Sequence, residues 1–103
     1  MAMTGDRLVF QLGALASPHR LLILATLNNH GRQYVSQLAR DVGMSRTLVH
    51  LHLQKLQDAG LVTSKLELSD DGKALNYFEV TDFAINLTPA FVSKVAKSLS
   101  ASS

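Results

Sequence analysis

The stretch from Tyr34 to Val62, YVSQLARDVGMSRTLVHLHLQKLQDAGLV, constrains this chain more than any other. Ser36 reads as the cap of a short helix, QLARDV, with Leu38, Ala39 and Val42 turned inward and Gln37, Arg40 and Asp41 outward. Gly43 supplies a tight turn, because glycine takes positive φ without steric cost. Met44 fills the gap between helices. Ser45 then caps a longer helix that ends at Gly60. A short helix, a tight turn and a longer helix make a helix-turn-helix. The β-rich residues that follow make a wing.

The flanking segments complete the arrangement. Thr4 and Asp6 open a first helix to about Ala16, whose Leu8, Val9, Phe10, Leu12, Ala14 and Leu15 are apolar nearly all round. A helix apolar on every side asks for burial on more than one face, one of them a second subunit. Ser17 and Pro18 form a cap and first-position proline. They start a second helix that stops at Gly31, with Leu21, Leu22, Leu24, Ala25 and Leu27 supplying its core side. Gln33 to Val35 reads as a brief strand. Leu61–Glu67 and Ala74–Thr81 read as strands, joined by the turn-forming run Ser69-Asp70-Asp71-Gly72. Thr88-Pro89 starts a last helix, with Phe91, Val92, Val95, Ala96 and Leu99 on one stripe, before a frayed tail, Ala101-Ser102-Ser103. The expected fold is mainly α with a small β-wing, in the order α-α-(short β)-α-α-β-β-α. Its 103 residues fit one domain, residues 1–103.

On a wheel of about 100° per residue, Val49, Leu53 and Leu56 cluster as the core side of the longer helix, with Ser45, His52 and Gly60 flanking them. Thr47, His50, Leu51, Gln54 and Asp58 lie opposite, and Arg46 sits at the border. These types suit the edges of bases in double-stranded DNA. Arginine reaches guanine O6 and N7, glutamine pairs with adenine, and Thr47 and Leu51 pack on a thymine methyl. The Ser45 cap and the free N–H groups of the first turn suit a phosphate. The expected DNA contacts are Ser45, Arg46, Thr47, His50, Leu51, Gln54 and Lys55, with Lys65 and Lys73 from the wing. Against this, Arg46 and Lys55 also fit ordinary solvated charges, and Leu51 a small protein contact. His52, on the inner flank, reads as a packed, hydrogen-bonded histidine.

Charge supports the division of labour. Net charge is only +2. From His30 to Lys65, however, Arg32, Arg40, Arg46, Lys55 and Lys65 outnumber Asp41 and Asp58 by three. From Glu67 to Asp82, five acidic residues face Lys73 alone. A basic helix-turn-helix thus stands beside an acidic wing. The chain has no cysteine, which removes disulfides, thiolate metal sites and thiol redox sensing and fits a cytoplasmic setting. The start MAMTGDRLVF lacks the pattern of a signal peptide, and Leu21–Leu27 is too short to span a bilayer, so no membrane partner is expected. No nucleophile elbow, glycine-rich phosphate loop or paired-acid motif is present, so neither enzyme activity nor a cofactor is expected.

LASPHRLLILATL, the helix-turn-helix phrase and the wing together resemble the arsenic-repressor (ArsR) family of prokaryotic winged-helix transcription regulators, over roughly Leu12 to Val80. The resemblance implies a repressor acting as a homodimer on an inverted-repeat operator. The dimer would be built from the first and last helices, through Leu8, Phe10, Leu12, Phe91, Val95 and Leu99. The chain departs from the metal-sensing members. It lacks their cysteine pair, and Thr88–Leu99 holds no His, Asp or Glu. No metal ligand is therefore assigned. His19, His30, His50 and His52 show no ligand spacing, and His50 and His52, two apart on a helix, face different ways. Leu51 also stands where the family usually has an outward polar residue. Two other readings keep the fold: a protein-interaction module using the acidic wing and Leu51, and a metal-responsive switch with a histidine site.

Overall fold

Alternation between helix caps and glycine stops sets the element order. The computed structural model describes residues 3–100. Helix α1 (Gly5–Leu15) begins where Thr4 Oγ1 accepts the Arg7 N–H at 3.1 Å. Helix α2 (Pro18–His30) begins on Ser17, whose hydroxyl accepts the Arg20 N–H, and stops at Gly31 with φ 80°. Then come β1 (Gln33–Tyr34), α3 (Val35–Val42), α4 (Arg46–Asp58), β2 (Val62–Leu68), β3 (Ala74–Val80) and α5 (Pro89–Ala96). Gly43 turns left-handed at φ 69° between α3 and α4. The antiparallel sheet has the order β1-β3-β2. Thr63 stands opposite Glu79 and Leu68 opposite Ala74, and Gln33 pairs with Phe78. At the hairpin tip Ser69 N–H donates to Lys73 O at 2.7 Å, and Gly72 takes φ 83°.

The expected order of elements is the observed one, with shifts of a residue or two at the ends. Helix α3 starts at Val35, so Ser36 is not its cap. Tyr34 still belongs to the strand that pairs with β3, and the Gln37 side chain reaches back to accept its N–H at 3.3 Å. The expected tail at Ala101–Ser103 lies outside the described residues.

One apolar cluster holds α2, α3, α4 and the sheet together. Ile23, Leu38, Val49, Leu53, Leu56 and Leu61 have no exposed surface, and Leu27, Val62 and Phe78 almost none. Each such side chain contributes about 1.5–3 kcal/mol by leaving water. The expected core side of α2 needs correction. Leu24 and Leu27 are buried, but Leu21, Leu22 and Ala25 are exposed, and Ile23 takes their place. Nearly every side of α2 carries an apolar residue. The arc facing α3, α4 and β3 was decided by packing, which periodicity does not disclose.

The first and last helices pack on each other within the chain. Gly5 makes this possible. A Cβ there would lie 2.6 Å from Val95 O and 2.7 Å from the Leu99 side chain, and Gly5 N–H donates to Ser98 Oγ at 2.8 Å. Asp6 also binds the Ser100 hydroxyl. The residues expected at a subunit interface divide by exposure. Leu8 and Val95 are only 5% and 6% exposed and are spent on packing inside the chain. Leu12 and Phe91 are half-buried, whereas Phe10 and Leu99 remain open, with Val9 and Val92 beside them. Among the described residues no single helix is long and apolar enough to cross a membrane. Helices α1 and α2 reach that length only together, and they bend by 88° between them.

Candidate nucleic-acid interface

Helix α4 is anchored on one side and bare on the other. Val49, Leu53 and Leu56 sink completely into the core, and Ala59 closes the helix in the same environment. Arg46, Thr47, His50, Leu51, Gln54 and Asp58 are exposed. None of these six side chains makes a hydrogen bond or ion pair among the described residues. Ser45 accepts the Leu48 N–H at 3.2 Å and caps the helix. The Val49 N–H donates to Ser45 O at 3.0 Å, and this first turn forms the positive end of the helix dipole.

Two shallow hollows frame this face. One, of about 460 Å³, is lined by Val35, Arg46, Thr47, His50 and Leu51. The other, of about 340 Å³, is lined by Ser36, Ala39, Arg40, Met44 and Arg46. Arg46 is shared between them and links the start of α4 to the outer side of α3. Ser36 and Arg40 were not among the residues expected to touch DNA. Their spacing of four on a short helix beside the turn was the available signal. Leu48, half-exposed on the far flank of α4, was also left unplaced.

Lys55 is exposed like the outward face but lies to one side of it. It lines a separate hollow with Val9, Phe10, Gly13, Ala14 and Arg20, on the α1 side of the helix. At 100° per residue it turns toward the same flank as Leu48 and His52. His52 is fully engaged there. Arg20 Nη1 lies 3.2 Å from His52 Nδ1, and the His19 ring stacks on it at 5.7 Å and 16°. A guanidinium only donates, so Nδ1 accepts and the ring is neutral. Burial, then the charge of Arg20, hold its pKa below the usual value, with smaller contributions from His19 and Lys55. Arg20 also donates to Ala14 O at 2.6 Å, tying α1 to α2 beside α4.

The wing cations are occupied. Lys65 pairs with Glu67 at 3.7 Å and Lys73 with Asp71 at 3.9 Å. Arg32 pairs with Glu67 at 2.7 Å and lies 4.5 Å over the Tyr77 ring. The Arg32 bond holds the Glu67 carboxyl below its usual range, and the Ser69 hydroxyl does the same for Asp71. Leu66 and Leu68, which point to the same side of β2, are exposed. Among the described residues no three His, Asp or Glu side chains gather as a metal site.

The comparisons agree with this geometry. A family model for bacterial regulatory proteins of the arsR family matches residues 17–64, from the cap of α2 into β2. An uncharacterized HTH-type transcriptional regulator of Methanocaldococcus jannaschii is 33% identical over 82 residues, covering 80% of this chain and 84% of the relative. The homodimeric winged helix-turn-helix DNA-binding domain of a possible ArsR-family regulator from Mycobacterium bovis superposes with a TM-score of 0.66 at 27% identity. The match covers 89% of this chain and 70% of that one. NolR of Sinorhizobium fredii gives 0.62 at 27% identity, over 89% and 79%. With its anchored, outward-facing α4 and its β-wing, the chain belongs to the ArsR family and is a winged helix-turn-helix transcriptional regulator, not an enzyme.

Proposed function

We propose that the protein is a homodimeric repressor that occupies an inverted-repeat operator, with one α4 from each subunit in successive major grooves. The observation that carries this reading is the bare face of α4. Arg46, Thr47, His50, Leu51 and Gln54 are exposed and uncommitted on a helix whose other side is fully buried. A surface that spends no side chain on its own fold keeps its donors and acceptors for base edges. Ser36, Arg40 and Ser45 beside it suit the phosphates that set the helix in the groove. Lys65 and Lys73 add weaker, sequence-blind attraction, and Lys55 stands away from the DNA.

The dimer reading rests on the exposed apolar residues of the α1–α5 pair. Val9, Phe10, Val92 and Leu99 lie open at 43–61%. The Mycobacterium bovis relative is homodimeric. Such a protein works in the cytoplasm, beside its chromosome.

The test is selection of bound fragments from a random duplex library at physiological salt, with sedimentation of the free protein at micromolar concentration. The expected product is a two-fold symmetric site with half-sites about 34–36 Å apart, bound by a dimer. Enrichment of no sequence, together with a monomer in sedimentation, would overturn it. The exposed Leu66 and Leu68 beside an acidic wing tip favour one second reading, in which the wing meets a basic protein while α4 reads DNA.

A further inference from the structure

The C-terminal end of α4 is held by α1. Arg7 Nη2 donates to Ala59 O at 2.8 Å, and Arg7 Nη1 lies 3.4 Å from Asp58 O. Gln11, one turn further along α1 and buried, donates from Nε2 to the same Ala59 O at 3.1 Å. The last carbonyls of a helix have no N–H partners of their own and carry its negative dipole end. Arg7 supplies both the donors and the opposite charge. Gly60 fits the same design. It takes φ 76°, and a Cβ at that position would run into Arg7 Nη2.

Helix α1 is itself fixed elsewhere. Its first turn lies against α5 at backbone distance through Gly5, and the Arg7 N–H is held by Thr4. One short helix therefore touches both α5 and the end of the base-reading helix. Reading bases demands that a helix be placed to within about 0.5 Å and 10–20°. The buried stripe of Val49, Leu53 and Leu56 fixes its depth, and Arg7 and Gln11 grip it at one end.

We infer that Arg7 and Gln11 are positioning residues for sequence discrimination. They set the tilt of α4 relative to the α1–α5 pair, so that two such helices in a dimer keep one spacing. This rests on the proposed role of α4 as the reading helix.

The experiment compares wild type, Arg7→Lys and Gln11→Met on the selected operator and on a scrambled duplex of equal length, well below the unfolding temperature. Arg7→Lys keeps the charge but loses the fork that spans two carbonyls. Gln11→Met keeps the volume and loses the donor. The expected result for Arg7→Lys is roughly tenfold weaker operator binding with less than a twofold change on the scrambled duplex. Gln11→Met should show the same pattern to a smaller degree. Two results overturn the inference. If the thermal midpoint falls but the ratio between the two duplexes is kept, Arg7 serves stability only. If both duplexes weaken equally while the thermal midpoint is kept, Arg7 is a sequence-blind contact and not a positioning residue. Failure of the wild type to distinguish the duplexes would instead sink the reading role of α4 itself, and is seen before any variant is compared.

Discussion

Helix α4 and the wing both project from the same core, yet they treat their charged residues in opposite ways. On α4 the cation Arg46 and the polar groups beside it have no partner among the described residues. On the wing Lys65 and Lys73 each have a carboxylate within 4 Å, and Arg32 is drawn over to Glu67. The exposed fraction is high in both places, so accessibility alone does not separate them. What separates them is commitment. An exposed lysine that already has a carboxylate beside it gains less from a phosphate than an unpaired cation does. On the proposed reading the wing would add little net attraction, and discrimination would rest on one helix.

The largest effect tests what the bare face stands on. Leu53→Ala empties a site with no exposed surface at the centre of the α4 stripe. The expected cost is about 2–5 kcal/mol of stability, depending on how far the site collapses. Chemical denaturation measures it. A loss below that range would mean that α4 is less firmly seated than its burial implies.

Next comes the face itself. Arg46→Ala, Thr47→Ala, His50→Ala and Gln54→Ala should leave the unfolding midpoint nearly unchanged. Each base reader removed should weaken operator binding by about 1–3 kcal/mol and relax preference at its own position. Anisotropy titrations against single-base operator variants report both. Operator affinity retained by all four would break the comparison with the wing, because the uncommitted face would then do no more than the committed one.

The wing supplies the reverse prediction. Glu67→Gln removes the carboxylate that engages both Arg32 and Lys65. Binding to every duplex should tighten by a few-fold and the salt dependence steepen, with sequence preference unaltered. Lys65→Ala or Lys73→Ala in the wild-type background should flatten the salt slope by less than about one, because each lysine is already partly neutralised. Weaker binding by Glu67→Gln would show that the ion pairs shape the wing for DNA rather than withhold it.

Much of this was legible from the chain because its elements carry strong local signals. The Ser17-Pro18 and Thr88-Pro89 starts, the turns at Gly43 and Gly60, and the Val49–Leu53–Leu56 stripe all act through neighbouring backbone. Misplaced residues depended on distant partners. Ile23 replaced Leu21 and Leu22 in the core because α2 is apolar all round, so only packing chooses its buried arc. Leu8 and Val95 turned inward because Gly5 lets α1 and α5 approach closely. The place of Lys55 beside α1, by contrast, was legible in the helical period itself. The pairing of Lys65 and Lys73 follows from side-chain reach. The grip of Arg7 on Ala59, more than fifty residues away, had no local signature.

His52 sharpens the comparison most finely, since it sits on α4 but is committed like a wing residue. Arg20, His19 and Lys55 all face it, and its folded-state pKa is lowered first by burial and then by those charges. A base whose folded pKa lies below its unfolded value takes up more protons when unfolded. Its contribution is complete above the usual value of about 6.5 and is lost as pH falls through the folded pKa. Acidification from about pH 7.5 to 5.5 should therefore lower the unfolding midpoint. His52→Gln, which has no proton to gain, should flatten that dependence. Thermal unfolding of the two proteins across this range measures the difference. Equal slopes for wild type and His52→Gln would show that the charged groups around the ring do not set its protonation. A flattened slope in His52→Gln would show that the boundary between committed and uncommitted side chains runs along α4 itself.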